Sequence, residues 1–298
     1  MRVGPPRLLF STLVFASGPV FATIVATDKY DAGYSAGTQV EANDGTSING
    51  GFGFTSQSID DAFRANVTTS TQNLLYSSGE LLIDGGPLAL TLAGVGGVGA
   101  NSNNLVSRSF DPQSGTVYFS FLLRTTNLSS EDDFIQLGLS DVTTAEPKIS
   151  IGAAEATSGT PPMLFFVRVP TGTGNQAFTS SPQIKFEANT TYFLVGKASK
   201  TVAGGGYNQI DLFLNPSTLT EGTPTISKNV ASATMTGVSN LIVRTARMES
   251  TDQYYVDDVT IGTTYADVVQ VPEPTTPLLV VSAFVLLGLR RGPRRARL

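Results

Sequence analysis

Two groups of acidic residues are the strongest candidates for chemistry in this sequence. One is the run Glu131-Asp132-Asp133, in a predicted polar turn, and the other is Asp257-Asp258, in a predicted strand. Hard cations such as Ca²⁺ are bound by clustered carboxylate and carbonyl oxygens, so Asp132, Asp133 and Asp257 are candidate calcium ligands. The alternative is a solvated loop for the first group and a hydrogen-bonded structural Asp for the second. Neighbouring residues of a strand point to opposite faces, so at most one of Asp257 and Asp258 faces inward.

The residue inventory restricts enzymatic chemistry. The chain has no His and no Cys. This excludes the Ser-His-Asp and Cys-His arrangements, the HExxH zinc site, thiol chemistry and disulfides. A glycosidase needs only two carboxylates, but the E-x-D-x-x-E run of laminarinase-type jelly-roll glycosidases is not found in the sequence. We therefore predict no catalytic residue and no enzymatic activity, with a divergent polysaccharide hydrolase or lyase as the less favoured alternative.

Tyr207 is the aromatic candidate for ligand binding. The chain has nine Tyr and no Trp, and Tyr207 follows three consecutive glycines, residues 204–206. We expect an exposed hairpin loop there, on which the tyrosine ring could stack against a sugar. The alternative is that the ring covers the edge of a sheet. A lectin-like glycan site, with or without calcium, is the alternative function.

Short β-strands are the elements that would position these residues. Alternating or continuous apolar runs of four to eight residues recur along the chain and are separated by Gly, Pro, Asn and Asp. No long helical period is found outside the C-terminal tail, which favours an all-β, antiparallel sandwich or barrel. The clearest predicted strands are Val117–Arg124, Phe134–Leu139, Met163–Val169, Thr191–Lys197, Gln209–Leu214 and Tyr254–Ile261.

The order of these strands resembles that of the concanavalin-like or laminin-G-like jelly-roll domains. The resemblance rests on Tyr118–Arg124, Thr191–Lys197, Gln209–Asn215 and the closing stretch Tyr255–Gly262. It implies one β-sandwich (jelly-roll) domain spanning about residues 23–270. Fold alone does not imply sugar binding, because the same fold carries many functions.

The N-terminus has the pattern of a secretory signal peptide. Arg2 and Arg7 form a positive segment, Leu8–Val20 is mostly apolar, and the small residues Val20 and Ala22 occupy the positions that signal peptidase reads. We predict cleavage after Ala22, with Ala26 as the alternative.

The last 28 residues have three parts in a fixed order. Val271, Pro272, Glu273 and Pro274 are followed by an apolar run from Leu278 to Leu289 and then by five arginines. The run alone would be about 18 Å long as a helix, short of the ~30 Å hydrocarbon core, but a transmembrane helix over about 276–289 gains length. Arginines hold the cytoplasmic side of a span. The five arginines of this tail are Arg290, Arg291, Arg294, Arg295 and Arg297.

This tail resembles the PEP-CTERM sorting signal of Gram-negative bacteria. The resemblance implies processing at or near Pro272-Glu273-Pro274 by an exosortase. It also implies an intermediate held in the inner membrane, and then a location at the cell surface or in the extracellular matrix, often beside extracellular polysaccharide. The alternative is a simple tail anchor.

Charge argues against nucleic acid as a partner. Seven of the 19 Lys and Arg lie in the two terminal segments, leaving 12 for the rest of the chain, against 24 acidic residues in all. Binding nucleic acid requires positive surface that displaces counterions.

Overall fold

The computed structural model describes residues 23–40, 50–59, 67–94, 104–128, 133–143, 146–157, 160–171 and 176–269. Ala22, Asp132, the motif Val271–Pro274 and the tail from Leu278 to Arg297 lie outside these ranges. Within the part of the chain that is described, no helix is long and apolar enough to cross a membrane.

The described residues form two large antiparallel sheets, a two-stranded hairpin and one short helix. The strands are β1 Ile24–Asp28, β2 Phe54–Ile59, β3 Val67–Ser70, β4 Leu75–Ser78, β5 Leu81–Asp84, β6 Ala89–Ala93, β7 Leu105–Gln113, β8 Val117–Thr125, β9 Phe134–Ser140, β10 Ile149–Thr157, β11 Thr160–Pro170, β12 Gln176–Lys185, β13 Tyr192–Ser199, β14 Gln209–Leu214, β15 Ile226–Asn229, β16 Val238–Ala246 and β17 Gln253–Gly262, and the helix is α1 Tyr265–Val269.

The strand order is that of a jelly roll. The first sheet runs β15-β14-β13-β8-β17-β6-β3, with β1 also paired to β17, and the second runs β12-β11-β10-β9-β16-β7-β2. Among other places, the chain changes sheet on passing from β6 to β7, to β8 and to β9, from β12 to β13, and from β15 to β16 and to β17. Such alternation produces two facing sheets joined at their ends, as in double-sheet jelly rolls. The predicted all-β, antiparallel sandwich is confirmed.

Strand β8 shows why the first sheet reads as a continuous apolar run. Phe119, Phe121 and Leu123 lie in the core between the two sheets. Tyr118 and Leu122, on the opposite face, belong to a second apolar cluster. Successive side chains alternate between faces, so a strand buried on both sides is apolar at most of its positions, with Ser120 as an exception in the middle of β8.

The second cluster is covered by the β4–β5 hairpin and by α1. Leu81 and Ile83 of the hairpin are 3% exposed, and Leu82 between them is 56% exposed, so alternate side chains of the hairpin face the sheet and the solvent. Tyr265 of α1 packs edge-on against Tyr118, with ring centroids 6.2 Å apart. The C-terminal end of the domain is therefore packed against the outer face of the first sheet.

Candidate functional site

A cleft of about 350 Å³ lies where β1 and the turn after it meet the C-terminal half of β17. We call it the β1–β17 cleft. Its apolar walls include Ile24, Ile83 and Val268, and its polar residues include Lys29, Asp31 and Asp258.

Phe52 is an exposed aromatic ring at this cleft. The backbone of Phe52 pairs with Thr27 of β1 through N–H···O bonds of 2.7 and 2.9 Å, which fix the position of the residue. Its side chain is 65% exposed, whereas Phe54 is 8% exposed. Side chains two residues apart would share a face in a regular strand. Gly53, at φ +78°, breaks that regularity and turns the two rings apart.

The charged residues of the cleft surround a strained position in β17. Asp258 has φ +43°, in a left-handed region that residues other than Gly rarely adopt, at the bulge where the register with β8 shifts. Burial raises the pKa of the Asp258 carboxyl to about 6. Lys29 Nζ, which donates to the Asp84 carbonyl at 2.8 Å, lies 4.0 Å from Asp258 Oδ1. Strained residues held in place by their surroundings concentrate at functional sites.

Asp31 is the second carboxyl of the cleft. Its Oδ1 accepts the backbone N–H of Leu88 at 3.2 Å, and burial raises the pKa of the carboxyl. Carboxyls, an ammonium and an exposed ring around an apolar floor can bind a polyhydroxylated ring by stacking and hydrogen bonds.

A buried ion pair forms the wall behind the cleft. Arg108 Nη1 of β7 donates to Asp28 Oδ2, and the two side chains are each 2% exposed. Asp28 also accepts from Tyr30 N at 2.7 Å and Tyr34 Oη at 2.8 Å, and Arg108 Nη2 donates to the Gly50 carbonyl at 2.6 Å. The partners in this network compensate the charge of Asp28. Asp31, Asp258 and Lys29 are therefore the charged groups of the cleft that can bind a ligand.

Asp257 lies inside the protein and does not line the cleft. Its Oδ1 accepts the N–H of Asp258 at 2.8 Å, and a Cβ added at Gly85 would lie 2.0 Å from its Oδ2. Complete burial raises the pKa of this carboxyl to about 9, so it is protonated at neutral pH. A neutral carboxyl is a poor cation ligand, and this position fits the structural interpretation better than calcium ligation.

Asp133 is part of an acidic triad at the opposite end of β17. Asp133, Glu249 and Asp252 each offer a carboxylate oxygen within 4.8 Å of the others, the one such group of three in the described ranges. Burial and the neighbouring Glu249 raise the pKa of Asp252 to about 6. Oxygen ligands at this spacing suit a hard cation. None of the three lines the β1–β17 cleft.

The expectation of an exposed Tyr207 is wrong. The residue is fully buried, and its hydroxyl donates to the Gly115 carbonyl at 2.5 Å, on the chain that joins β7 to β8. Burial raises the pKa of its hydroxyl to about 12. The glycine-rich turn before it brings the ring into the core between the sheets, where it cannot stack on a sugar.

The sequence reasoning missed three features of these sites. Arg108 was not singled out, although an Arg between uncharged residues in the first half of β7 is a signal for a buried partner. Glu249 and Asp252 were also missed, and their E-x-x-D spacing is a weak signal. The third is the exposed ring of Phe52, because the glycines on either side of it give no indication of which way it points.

The two ends of the domain lie side by side. The Thr23 backbone nitrogen donates to Asp267 Oδ1 at 3.1 Å, across 244 positions of the chain. Asp267 is 2% exposed. This contact joins the residue after the predicted signal peptide to the helix before the predicted sorting motif.

Comparison with known proteins gives structural similarity only. No family model and no curated protein matches the sequence. Among solved structures, the globular domain of T. cruzi calreticulin is 13% identical over 75% of this chain and 94% of its own, with a TM-score of 0.43. A structure described with endo-acting O-glycanases of the human gut microbiota is 13% identical over 80% and 99%, with a TM-score of 0.47. The alginate lyase of Aplysia kurodai is 10% identical over 69% and 90%, with a TM-score of 0.45.

Proposed function

We propose that this chain is an exported, non-enzymatic protein of the cell surface or extracellular matrix. It is held in the inner membrane by its C-terminal tail until the tail is processed at Val271–Pro274. The ordered motif, apolar run and arginine cluster of the tail, together with the N-terminal signal pattern, are the basis in the sequence.

One structural observation carries this proposal furthest: both ends leave the domain at the same point. Thr23 is hydrogen-bonded to Asp267, and Val271 is only four residues further along the chain. Four residues span at most about 14 Å, so the two predicted processing points are neighbours in space. A precursor could therefore keep both hydrophobic segments in one membrane without unfolding the sandwich.

The structure also favours Ala22 over Ala26 as the cleavage site. Strand β1 begins at Ile24, which pairs with Gly262 of β17, and Ala26 is fully buried in the core. Cleavage after Ala26 would remove the first three residues of this strand. Cleavage after Ala22 leaves the strand complete.

The test is the intact mass of the protein recovered from its native host, measured separately for membranes and medium. We expect a chain that starts at Thr23 and ends near Pro274. A mature protein that still contains Arg290 to Leu298 would refute the sorting role and leave a plain membrane anchor.

Saccharide binding in the β1–β17 cleft is the second candidate function. The specific observation is Phe52, which is 65% exposed beside Asp31, Asp258 and Lys29. An aromatic face stacks on the apolar face of a sugar ring, and carboxyls and ammonium groups bond its hydroxyls. The ligand class that fits the proposed location is an extracellular polysaccharide at the surface of the cell that produces the protein.

A glycan array, run with and without calcium, tests this function. We expect binding by the wild type and its loss in Phe52→Ala. Val202→Ala is the matched control, because Val202 is 58% exposed and lies outside the cleft. Absence of binding in every condition would refute a saccharide site. A reducing-sugar screen on the bound polysaccharides tests the enzymatic alternative, and we expect no product.

A further inference from the structure

We propose that removal of the signal peptide creates an ion pair between the new α-ammonium of Thr23 and the buried carboxylate of Asp267. This pair fastens the first strand of the domain to its last helix. The inference rests on the proposed function in one respect, namely that cleavage follows Ala22.

The two oxygens of the Asp267 carboxylate accept hydrogen bonds from different segments. Its Oδ2 accepts the N–H groups of Thr263 at 2.9 Å and Thr264 at 2.8 Å, while Thr264 Oγ1 accepts the N–H of Asp267 at 3.3 Å. This reciprocal arrangement is a capping box, which fixes the start of α1. Its Oδ1 points away from the cap and accepts the Thr23 nitrogen at 3.1 Å.

Cleavage changes the chemistry of the Thr23 nitrogen. In the precursor this atom is a neutral peptide N–H that follows Ala22. After cleavage it is an α-amino group, whose usual pKa of about 7.7–8.0 leaves it mostly charged at neutral pH. In the precursor the N–H already donates to an ionised carboxylate. Cleavage adds the Coulomb attraction between the α-ammonium and that carboxylate. The same contact therefore becomes stronger when the signal peptide leaves.

The surroundings of Asp267 favour this outcome. Asp267 is 2% exposed, so water reaches its carboxylate poorly, whereas Thr23 is exposed and water screens the pair partly from that side. In the described ranges, no Lys or Arg forms an ion pair with Asp267. The α-ammonium would supply the one cation at a carboxylate that otherwise has only dipolar N–H and O–H partners.

The position of the pair gives it a structural consequence. Strand β1 pairs with the C-terminal end of β17 from Ile24 to Asp28, and the pair extends this contact by one residue onto α1. Helix α1 is held from below by Ser120, whose hydroxyl donates to the Val268 carbonyl at 2.9 Å. Once the signal peptide has been removed, β1 and α1 are thus held together more firmly than in the precursor.

The test compares two forms of residues 23–298 in a mild detergent. One begins with a free Thr23 amine, and the other carries an acetylated Thr23, which keeps the N–H and removes the charge, as in the precursor. We expect the free form to melt about 2–4 °C higher, the shift that corresponds to a single modest interaction in a domain of this size. In Asp267→Asn the two forms should melt at the same temperature. Equal melting of the two forms with Asp267 intact would overturn the proposal, and so would a difference that persists in Asp267→Asn.

N-terminal sequencing of the protein from its native host separates the two levels of the argument. A chain that starts at Thr27 would refute cleavage after Ala22, and with it the pair. A chain that starts at Thr23, with no melting difference between the free and acetylated forms, would refute the ion pair and leave the export proposal intact.

Discussion

At the scale of single residues, the ion pair between Arg108 and Asp28 holds together several segments near the N-terminus of the domain. Their side chains are each 2% exposed, and they bring together β7, the end of β1 and the segment at Gly50. Arg108 also lies 4.0 Å above the ring of Phe54. A buried pair costs desolvation energy, but loss of one partner strands a charge in the core.

Arg108→Met should lower the free energy of unfolding by about 3–5 kcal/mol, because Asp28 would be left buried without its cation. Urea denaturation measures the change. Lys148→Met is the matched control, since it breaks a salt bridge with Asp141 in which both side chains are about one-third exposed, and it should cost less than about 1 kcal/mol. Equal effects of the two substitutions would contradict the assigned role of Arg108.

Asp257 makes the stability depend on pH. Burial raises the pKa of its carboxyl from 3.8 to about 9, so the native state holds a proton that the unfolded chain releases above about pH 4. The native state therefore binds more protons between these values, and stability falls as pH rises through that window.

Asp257→Asn should reduce this fall, because an amide keeps the neutral form at every pH, and the remaining slope would come from other carboxyls with raised pKa such as Asp258. Urea unfolding at pH 5, 7 and 9 gives the comparison with wild type. Asp111→Asn, at an exposed position, should leave the wild-type slope unchanged. If Asp257→Asn retained that slope as well, Asp257 would not be the buried proton carrier.

At the scale of elements, β17 organises both ends of the domain. It pairs with β8 along one edge, and with β6 and then β1 along the other. The acidic triad lies at its start, the strained Asp258 near its middle, and Gly262 at its end. Gly262 is needed there, because a Cβ at this position would lie 2.4 Å from the Cβ of Asp267.

Gly262→Ala should displace Asp267 and loosen α1, at a cost of about 1–3 kcal/mol typical of overpacking. Hydrogen exchange should be faster at the amides of Thr263 and Thr264, whose N–H groups donate to the Asp267 carboxylate. Gly115→Ala is the control, since nothing lies within 4 Å of a Cβ added there. Unchanged exchange at both amides would show that the helix start does not depend on this close approach.

At the scale of the whole molecule, the domain is closed by a contact between its first and last described segments. Thr23 and Asp267 lie together, so the predicted signal peptide and the predicted tail would be attached close to each other on the sandwich. In the proposed precursor, a processing enzyme in the membrane would then cut a short segment next to the folded β-sandwich.

Replacing Pro272, Glu273 and Pro274 together by Ala should keep the full-length tail on the protein and retain it in the membrane fraction. The physical reason is that prolines favour an extended backbone, which a protease site requires, and Ala removes this preference. Intact mass of the membrane and medium fractions from the native host gives the readout. Replacing Thr275 and Thr276 by Ala is the control that should leave processing unchanged. Normal release of the triple variant would show that the motif is not read.

The sequence alone determined the sandwich and many of its β-strands, although β7 and β12 were not predicted. Val117–Arg124 corresponds to β8 at Val117–Thr125, and Gln209–Leu214 matches β14 residue for residue. These predictions succeed because alternation of side chains and turn chemistry are local properties, visible within ten residues. Asp133 was also marked as a possible metal ligand, but its partners Glu249 and Asp252 lie more than 100 positions away.

Only the tertiary structure decided which residues meet. The pair of Asp28 with Arg108, the contact of Thr23 with Asp267 and the burial of Tyr207 all depend on how the two sheets face each other and on which elements cover their outer faces. Local patterns distinguish an apolar face from a polar one, but they do not specify the surface that packs against it. That choice is made by the summed packing of the whole sandwich, so partners separated by 80 and 244 positions carry no local signal in the chain.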